Sequence, residues 1–289
     1  MRIVVAAAVV VVGVLCAACG RDDTPSSMID DAGYHVRGTS VYYLNPFPGN
    51  AFVIQDADPA SFEILDRMYA RDRERVYLDG RPLPEADPGT FEVLGRPGLA
   101  RDGRRVYQRD QVISTDPAGF ALLPGGLARD DGHVYWSDGS VLSDDPSHFT
   151  ILSDRRDYLY AKDRRAVYVN GNIVTGAVPD GFRVLDGGAY AVDERGAFYF
   201  DAPIDGADAQ TLRPLGGPYA VDAQRVYWMG QAIDGADPAS FTVLNANFEC
   251  SADRGRAYYR RGVIVDADPA AFPAGRSVTG CSESSLSFG

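Results

Sequence analysis

Four cysteines, three histidines and 40 aspartates and glutamates are the side chains of this 289-residue chain that could ligate a metal, attack a carbonyl or move a proton. Spacing decides which of these they can do. Cys250 and Cys281 show no C-x-x-C spacing and have no companion ligands, so neither a redox pair nor a zinc site is expected. His35, His133 and His148 form no H-x-x-x-H or H-E-x-x-H arrangement and read as surface residues, although His133 and His148 share one stretch and could meet. No G-x-S-x-G elbow supports a serine nucleophile. The carboxylates are more suggestive: Asp56-Ala57-Asp58, Asp205 to Asp208, Asp234 to Asp237 and Asp266-Ala267-Asp268 offer paired oxygens that calcium accepts. Yet the D-x-[DN]-x-[DN]-G loop is absent, and a pair that recurs along the chain suits structure better than one glycosidase-like site. No catalytic residue, no metal site and no cofactor is expected.

The other two cysteines belong to the N-terminus. After Met1 and Arg2 an uncharged apolar run, Ile3 to Ala18, is shorter than the roughly 20 residues of a spanning helix and reads as a signal peptide. It closes on Leu15-Cys16-Ala17-Ala18-Cys19-Gly20, which resembles the lipobox of bacterial lipoproteins. The resemblance implies cleavage before Cys19 and a diacylglyceryl anchor with fatty acids such as palmitate on that cysteine. Cys16 stands where such boxes carry an apolar residue, and it is a poorer acceptor because bulky Val14 and Leu15 precede it. An ordinary cleaved signal and a short uncleaved anchor are the alternatives. Gly20 lacks the aspartate that marks retention at an inner membrane, so in a two-membrane cell an outer-membrane address, facing periplasm or surface, is expected. Residues 19–33 then read as a flexible tether.

Composition narrows the class. Hydrophobic residues make up 45% and charged residues 24%, the values of a globular chain rather than a disordered or polytopic one. The 16 Tyr and 13 Phe beside 31 Gly and 18 Pro suit short strands and tight turns. A formal charge of -12 removes the phosphate attraction on which nucleic-acid binding depends.

Internal repeats organise everything else. A unit A-x-D-x(3)-V-Y recurs from Ala70, Ala100, Ala128, Ala161, Ala191 and Ala220. Its aromatic position falls at Tyr42, Tyr77, Tyr107, Tyr135, Tyr168, Phe198, Tyr227 and Tyr258. A second landmark, D-P-x-x-F, runs from Asp58, Asp87, Asp116, Asp145, Asp237 and Asp268, with degenerate versions ending at Phe182 and Leu212. Within a unit, Arg75-Val76-Tyr77-Leu78 is β-branched and aromatic, and Asp79-Gly80 is a hairpin turn signal. The aspartate of Asp87-Pro88 is placed to cap a single helical turn with proline at its first position. These signals predict an all-β fold of about eight tandem hairpin repeats of roughly 30 residues, each too small to bury its own apolar face. They stack as a curved solenoid, the alternative being a closed propeller-like or barrel-like ring. The division expected is 1–18 signal peptide, 19–33 tether, 34–281 repeat domain and 282–289 C-terminal tail.

Two further sites follow from the repeat. Cys250 and Cys281 sit at equivalent places in successive units, and an even cysteine count in an exported chain predicts a disulfide between them. The residue after each aromatic varies: Tyr43, Leu78, Gln108, Trp136, Val169, Tyr199, Trp228 and Tyr259. Tyr43, Trp136, Tyr199, Trp228 and Tyr259 are the candidate aromatic binding stripe, with core packing as the competing account.

The segment Tyr160-Ala161-Lys162-Asp163-Arg164-Arg165-Ala166-Val167-Tyr168-Val169-Asn170-Gly171 resembles the DKNYYY repeat family of bacterial envelope proteins, although arginine mostly replaces the family's lysine and asparagine. The resemblance spans nearly all of the chain after the signal region. It implies the repeat architecture and the envelope address, and it carries no catalytic residue. The function expected is a membrane-anchored, non-catalytic, monomeric lipoprotein that binds an envelope protein or glycan along its repeats, with no nucleic-acid partner. An envelope polysaccharide- or peptide-processing enzyme and a purely structural lipoprotein are the alternatives.

Overall fold

The structure, a computed structural model, describes residues 24–28, 30–155, 158–245 and 247–289. The chain divides into two compact units, Met1–Gly103 with Arg109–Gln111, and Arg104–Gln108 with Val112–Gly289. Among the described residues the fold is all-β apart from two short 3-10 turns, Pro124–Gly126 and Pro269–Ala271, and no sheet closes into a barrel.

In the smaller unit the first repeat is a three-stranded antiparallel meander of Gly33–Arg37, Ser40–Leu44 and Ala51–Val53. The second has four strands, Glu63–Ile64, Tyr69–Arg71, Val76–Leu78 and Arg81–Pro82. Glu92–Val93 and Leu99–Arg101 of the third repeat pair beside them. The larger unit repeats the four-stranded meander five times, its central strands being Val134–Tyr135, Val167–Val169, Ala197–Tyr199, Val226–Trp228 and Ala257–Tyr259. Each meander after the first opens with residues that follow the D-P-x-x-F segment and closes with an edge strand of two to four residues, short enough to offer little template for foreign pairing.

Why one strand carries both Val and Tyr is visible in the packing. Successive side chains of a strand point to opposite faces. In pairs such as Val76-Tyr77 and Val226-Tyr227 both are fully buried, because a sheet inside a unit is covered on two sides by its neighbours in the chain. Tyr227 packs backward onto Tyr190, Val192, Ala197 and Ile204 of the preceding repeat, while Val226 packs forward against Phe241 and Tyr258. The same division recurs with Phe198 against Tyr160, Val167 and Val174, and in the smaller unit with Tyr77 against Tyr34, Val41 and Ile54. Every apolar layer is thus shared between two repeats, and stacking supplies the core that one repeat lacks.

Three expectations need correction. The D-P-x-x-F segments form β-turns rather than helical turns, except Pro269–Ala271, where Asp268 accepts from the Ala270 N–H. The cap chemistry is as expected, but a strand starts soon after each turn and the bonds are of the i→i−3 kind, with a single i→i−4 bond, from the Leu212 N–H to the Asp208 carbonyl, among the described segments. Parts of the expected tether are held to the fold: Ser26 bridges Asn50, Arg37 pairs with Asp30 at 2.6 Å, and strand begins at Gly33. The tail 282–289 holds strand Ser285–Phe288, which pairs with Val278–Ser282 and covers the last repeat through Leu286.

Candidate functional site

The polar landmarks of the repeat are partners of one another. In A-x-D-x(3)-V-Y the aspartate lies at the start of the hairpin and the tyrosine five residues on, and the strands bring them together. Tyr77 Oη donates to Asp72 Oδ2 at 2.6 Å, and Tyr135–Asp130, Tyr168–Asp163, Tyr227–Asp222 and Tyr258–Asp253 repeat the contact at 2.5 to 2.7 Å. The other carboxylate oxygen accepts two backbone N–H groups of the tight turn, as Asp222 does from Gln224 and Arg225. Oδ2 takes a further donor from the preceding D-P turn: the N–H of Asp58, Asp87, Val178, Asp208 or Asp237. Where the repeat reads Ser114 or Ser143, that hydroxyl donates to Asp130 or Asp163. These aspartates are 3–7% exposed.

Burial alone raises the carboxyl of Asp72, Asp130, Asp163, Asp222 and Asp253, but their hydrogen bonds outweigh it and hold each below the usual range. Burial first, then the adjacent carboxylate, pushes Tyr77, Tyr135 and Tyr168 up to about 12. Buried ionised carboxylates with full hydrogen-bond shells are structural locks; no reactive oxygen is left on them.

The acidic turns are likewise absorbed. Asp58, Asp87, Asp208 and Asp237 each take the hydroxyl of the Ser or Thr three residues on, at 2.6 to 2.8 Å. The other half of each turn is met by arginine: Arg75, Arg225 and Arg256 donate to the carbonyls of Asp56, Gly206 and Gly235. Among the described residues no group of three or more His, Cys, Asp or Glu side chains is placed to hold a metal ion. His148 touches Ser147 at 2.9 Å and Asp145 at 2.8 Å, a set of residue types that resembles a triad. Both contacts meet the same ring nitrogen, Nδ1, so the imidazole has no path to relay a proton between them. Arg164 and then His148 hold Asp145 down at about 2.

The aromatic stripe is in part contact between repeats. Tyr43 is buried and donates to Asp79 at 2.8 Å, while Trp136, Tyr199, Trp228 and Tyr259 are half-buried. The turn glycine of the following repeat closes on the ring. A Cβ at Gly80 would come within 2.5 Å of Tyr43, at Gly171 within 3.0 Å of Trp136, and at Gly230 within 2.7 Å of Tyr199. Trp228 and Tyr259 instead flank Arg260 at 5.9 and 4.9 Å. Tyr43 is thus a core position, while Trp136, Tyr199, Trp228 and Tyr259 are partly covered by neighbouring residues. Cys250 and Cys281 are bonded, with Cα atoms 5.8 Å apart. Cys250 occupies the register of Tyr190 and Tyr219, whose hydroxyls reach forward to Pro218 and Glu249 carbonyls. With the terminal hairpin next in line, a covalent bond stands where a hydrogen bond joins inner repeats. Cys19 lies outside the described residues.

The sequence reading missed an exposed ladder. The edge strand of each repeat places one apolar residue opposite the landmark aromatic: Val53, Pro82, Val141, Ile173, Pro203, Ala232 and Val263. All are exposed, Val141 to 55%, Ile173 to 61% and Val263 to 43%. The signal was present as an apolar residue five or six positions after the landmark aromatic, eleven after Tyr42, but only cross-strand register shows that each lies on the edge of its own sheet.

Small antiparallel meanders, most of them locked by a buried Asp–Tyr pair and sharing apolar layers with their neighbours, define a tandem β-hairpin repeat protein. The chain belongs to the DKNYY family, whose model matches residues 34–164, 127–262 and 219–284. No curated protein and no solved structure matches it.

Proposed function

We propose that this chain is a non-catalytic binding module of the bacterial cell envelope, tethered through a lipid on Cys19 and engaging its ligand along the repeats. The observation that carries the reading is the ladder. Ordinary surface positions vary freely, whereas here seven edge positions at one register are all apolar and all exposed. Such recurrent apolar exposure marks an interaction surface, and extended one-dimensional surfaces are what repeat proteins use for binding. The structural use of the carboxylates supports the non-catalytic part of the reading, and the apolar run ending at Cys19 supports the tether.

The test places a photo-crosslinking residue at Ile173 or Val141 of the full chain in its native envelope, with Glu63 as an exposed control. Expected is one dominant adduct shared by both ladder positions, absent from the control and lost when the other ladder positions carry glutamate. A Cys19→Ser chain should leave the membrane fraction. Identical adduct patterns at ladder and control would overturn the binding surface, and an unchanged membrane fraction for the Cys19→Ser chain would overturn the tether.

A further inference from the structure

The first repeat departs from the others where it faces the second. Instead of a two-residue hairpin turn it has the loop 45–50, and its third strand carries Phe52 opposite Tyr43, where inner repeats place Arg81, Asn172, Ala202, Gln231 or Gly262. Phe52 is 38% exposed and tilts against Tyr43 with ring centroids 5.9 Å apart. Gly80, at φ +75°, lets the second repeat's turn approach within 2.7 Å of where its Cβ would meet the Phe52 ring. The result is an open cleft of about 700 Å³ lined by Phe52, Asn45, Asp79, Arg81, Arg109 and Asp110.

These polar groups fall into two classes. Asp79 is committed: it accepts from Tyr43 at 2.8 Å and pairs with Arg109 at 2.5 Å, so that both side chains are held in place. Arg81 and Asp110 are exposed, and neither has a partner among the described residues. Asn45, which also lines the cleft, donates a side-chain N–H to the Asn50 carbonyl at 3.0 Å, and its side-chain oxygen is not used in that bond. The cleft thus presents a solvent-facing aromatic ring beside an unpaired donor fork, an unpaired acceptor and a second acceptor. Its two arginines balance its two aspartates.

We infer that this cleft is a binding site for an uncharged carbohydrate. A sugar ring has an apolar C–H face, which suits the Phe52 ring. It also has an equatorial rim of hydroxyls, each donor and acceptor at once, which suits an arginine fork and a carboxylate side by side. A phosphate or uronate ligand needs surplus positive charge, which Asp79 and Asp110 offset. A cation needs several free carboxylates, and Asp110 is the single free one here. A shallow, mixed lining excludes a fully buried apolar ligand. This goes beyond the proposed function by naming a ligand class and a place in the smaller unit, where the ladder residue Pro82 lines the cleft, and it holds whether or not the chain is lipidated.

The experiment titrates the full-length protein, in a detergent without a sugar head group, with cellotetraose, maltotetraose and chitotetraose by calorimetry. Tetragalacturonate and tetra-alanine are the anionic and peptide comparisons. Expected is saturable binding of at least one neutral tetrasaccharide, tighter than either comparison. Phe52→Ala should weaken it at least tenfold and Phe52→Tyr less than threefold. Arg81→Gln and Asp110→Asn, which touch nothing that holds the fold, should each weaken it three- to tenfold. Ile173→Glu on the ladder should leave it unchanged, which separates this site from the crosslinking surface. Absence of binding by all three neutral sugars, tighter binding of the uronate or the peptide, or wild-type affinity in both Arg81→Gln and Asp110→Asn would each overturn the assignment.

Discussion

At least five repeats lock their hairpin with a tyrosine donating to a buried aspartate, whereas the repeat of Asp193 lacks the hydroxyl, carrying Phe198 five residues on. This internal contrast yields a graded prediction. In the seventh repeat Tyr227 donates to Asp222 at 2.7 Å in a site where the aspartate is 5% exposed. A hydrogen bond to a buried charged group contributes about 1.5 to 3 kcal/mol, so Tyr227→Phe should cost that amount. The loss stays moderate because three backbone donors, from Gln224, Arg225 and Asp208, still hold the carboxylate. Asp222→Asn should cost more, about 3 to 4 kcal/mol, since an amide cannot accept from all four donors and one N–H pair then faces another donor. Phe198→Tyr should stabilise by about 1 kcal/mol, because Asp193 already accepts from Val178 at 2.7 Å and offers the oxygen its neighbours use for tyrosine. Urea unfolding followed by near-ultraviolet circular dichroism measures the series, with the denaturant slope checked for constancy because repeat arrays can unfold in parts. Loss of stability in Phe198→Tyr, or a Tyr227→Phe change within about 0.5 kcal/mol of zero, the range of ordinary surface substitutions, would refute the lock.

The same pairs set the pH range. Folded-state aspartate values are lowered, so their contribution is present above about 4 and is lost as pH falls below it; the tyrosine values are raised, so theirs is present below about 10 and is lost toward 12. Midpoints of urea unfolding measured from pH 2 to 12 should show both limbs, with the alkaline one flattened in a chain carrying Tyr77→Phe and Tyr135→Phe. Reducing the Cys250–Cys281 bond should destabilise the end of the stack by about 3 to 4 kcal/mol on the loop-closure estimate. Hydrogen exchange should then rise in 278–288 and stay unchanged in 134–169; uniform change would contradict a local clasp. Gly171→Ala should cost at least about 2 kcal/mol, combining left-handed strain at φ +85° with a Cβ pressed on the Trp136 ring, and should shift Trp136 fluorescence. An unaltered spectrum would mean the ring is not covered.

Sequence alone determined the repeat, its length, the all-β character and the hairpin turns, because these rest on short-range chemistry: Asp79-Gly80 must turn, and Val76-Tyr77 must extend. It also paired Cys250 with Cys281, since stacked equal units bring equivalent positions together. What it left undecided was which side of each strand is covered. That depends on residues a whole repeat away, and so Trp136 reads equally well as a platform or as a surface closed by Gly171. The Asp72–Tyr77 lock was spelled out as a spacing, yet a five-residue separation has no meaning until a hairpin folds one end back on the other. The exposed ladder needed cross-strand register. The cleft needed Asn45, Phe52, Arg81 and Asp110 from separate repeats to meet. Local turn chemistry is encoded within a few residues, whereas burial is a property of the neighbour, and only stacking supplies the neighbour.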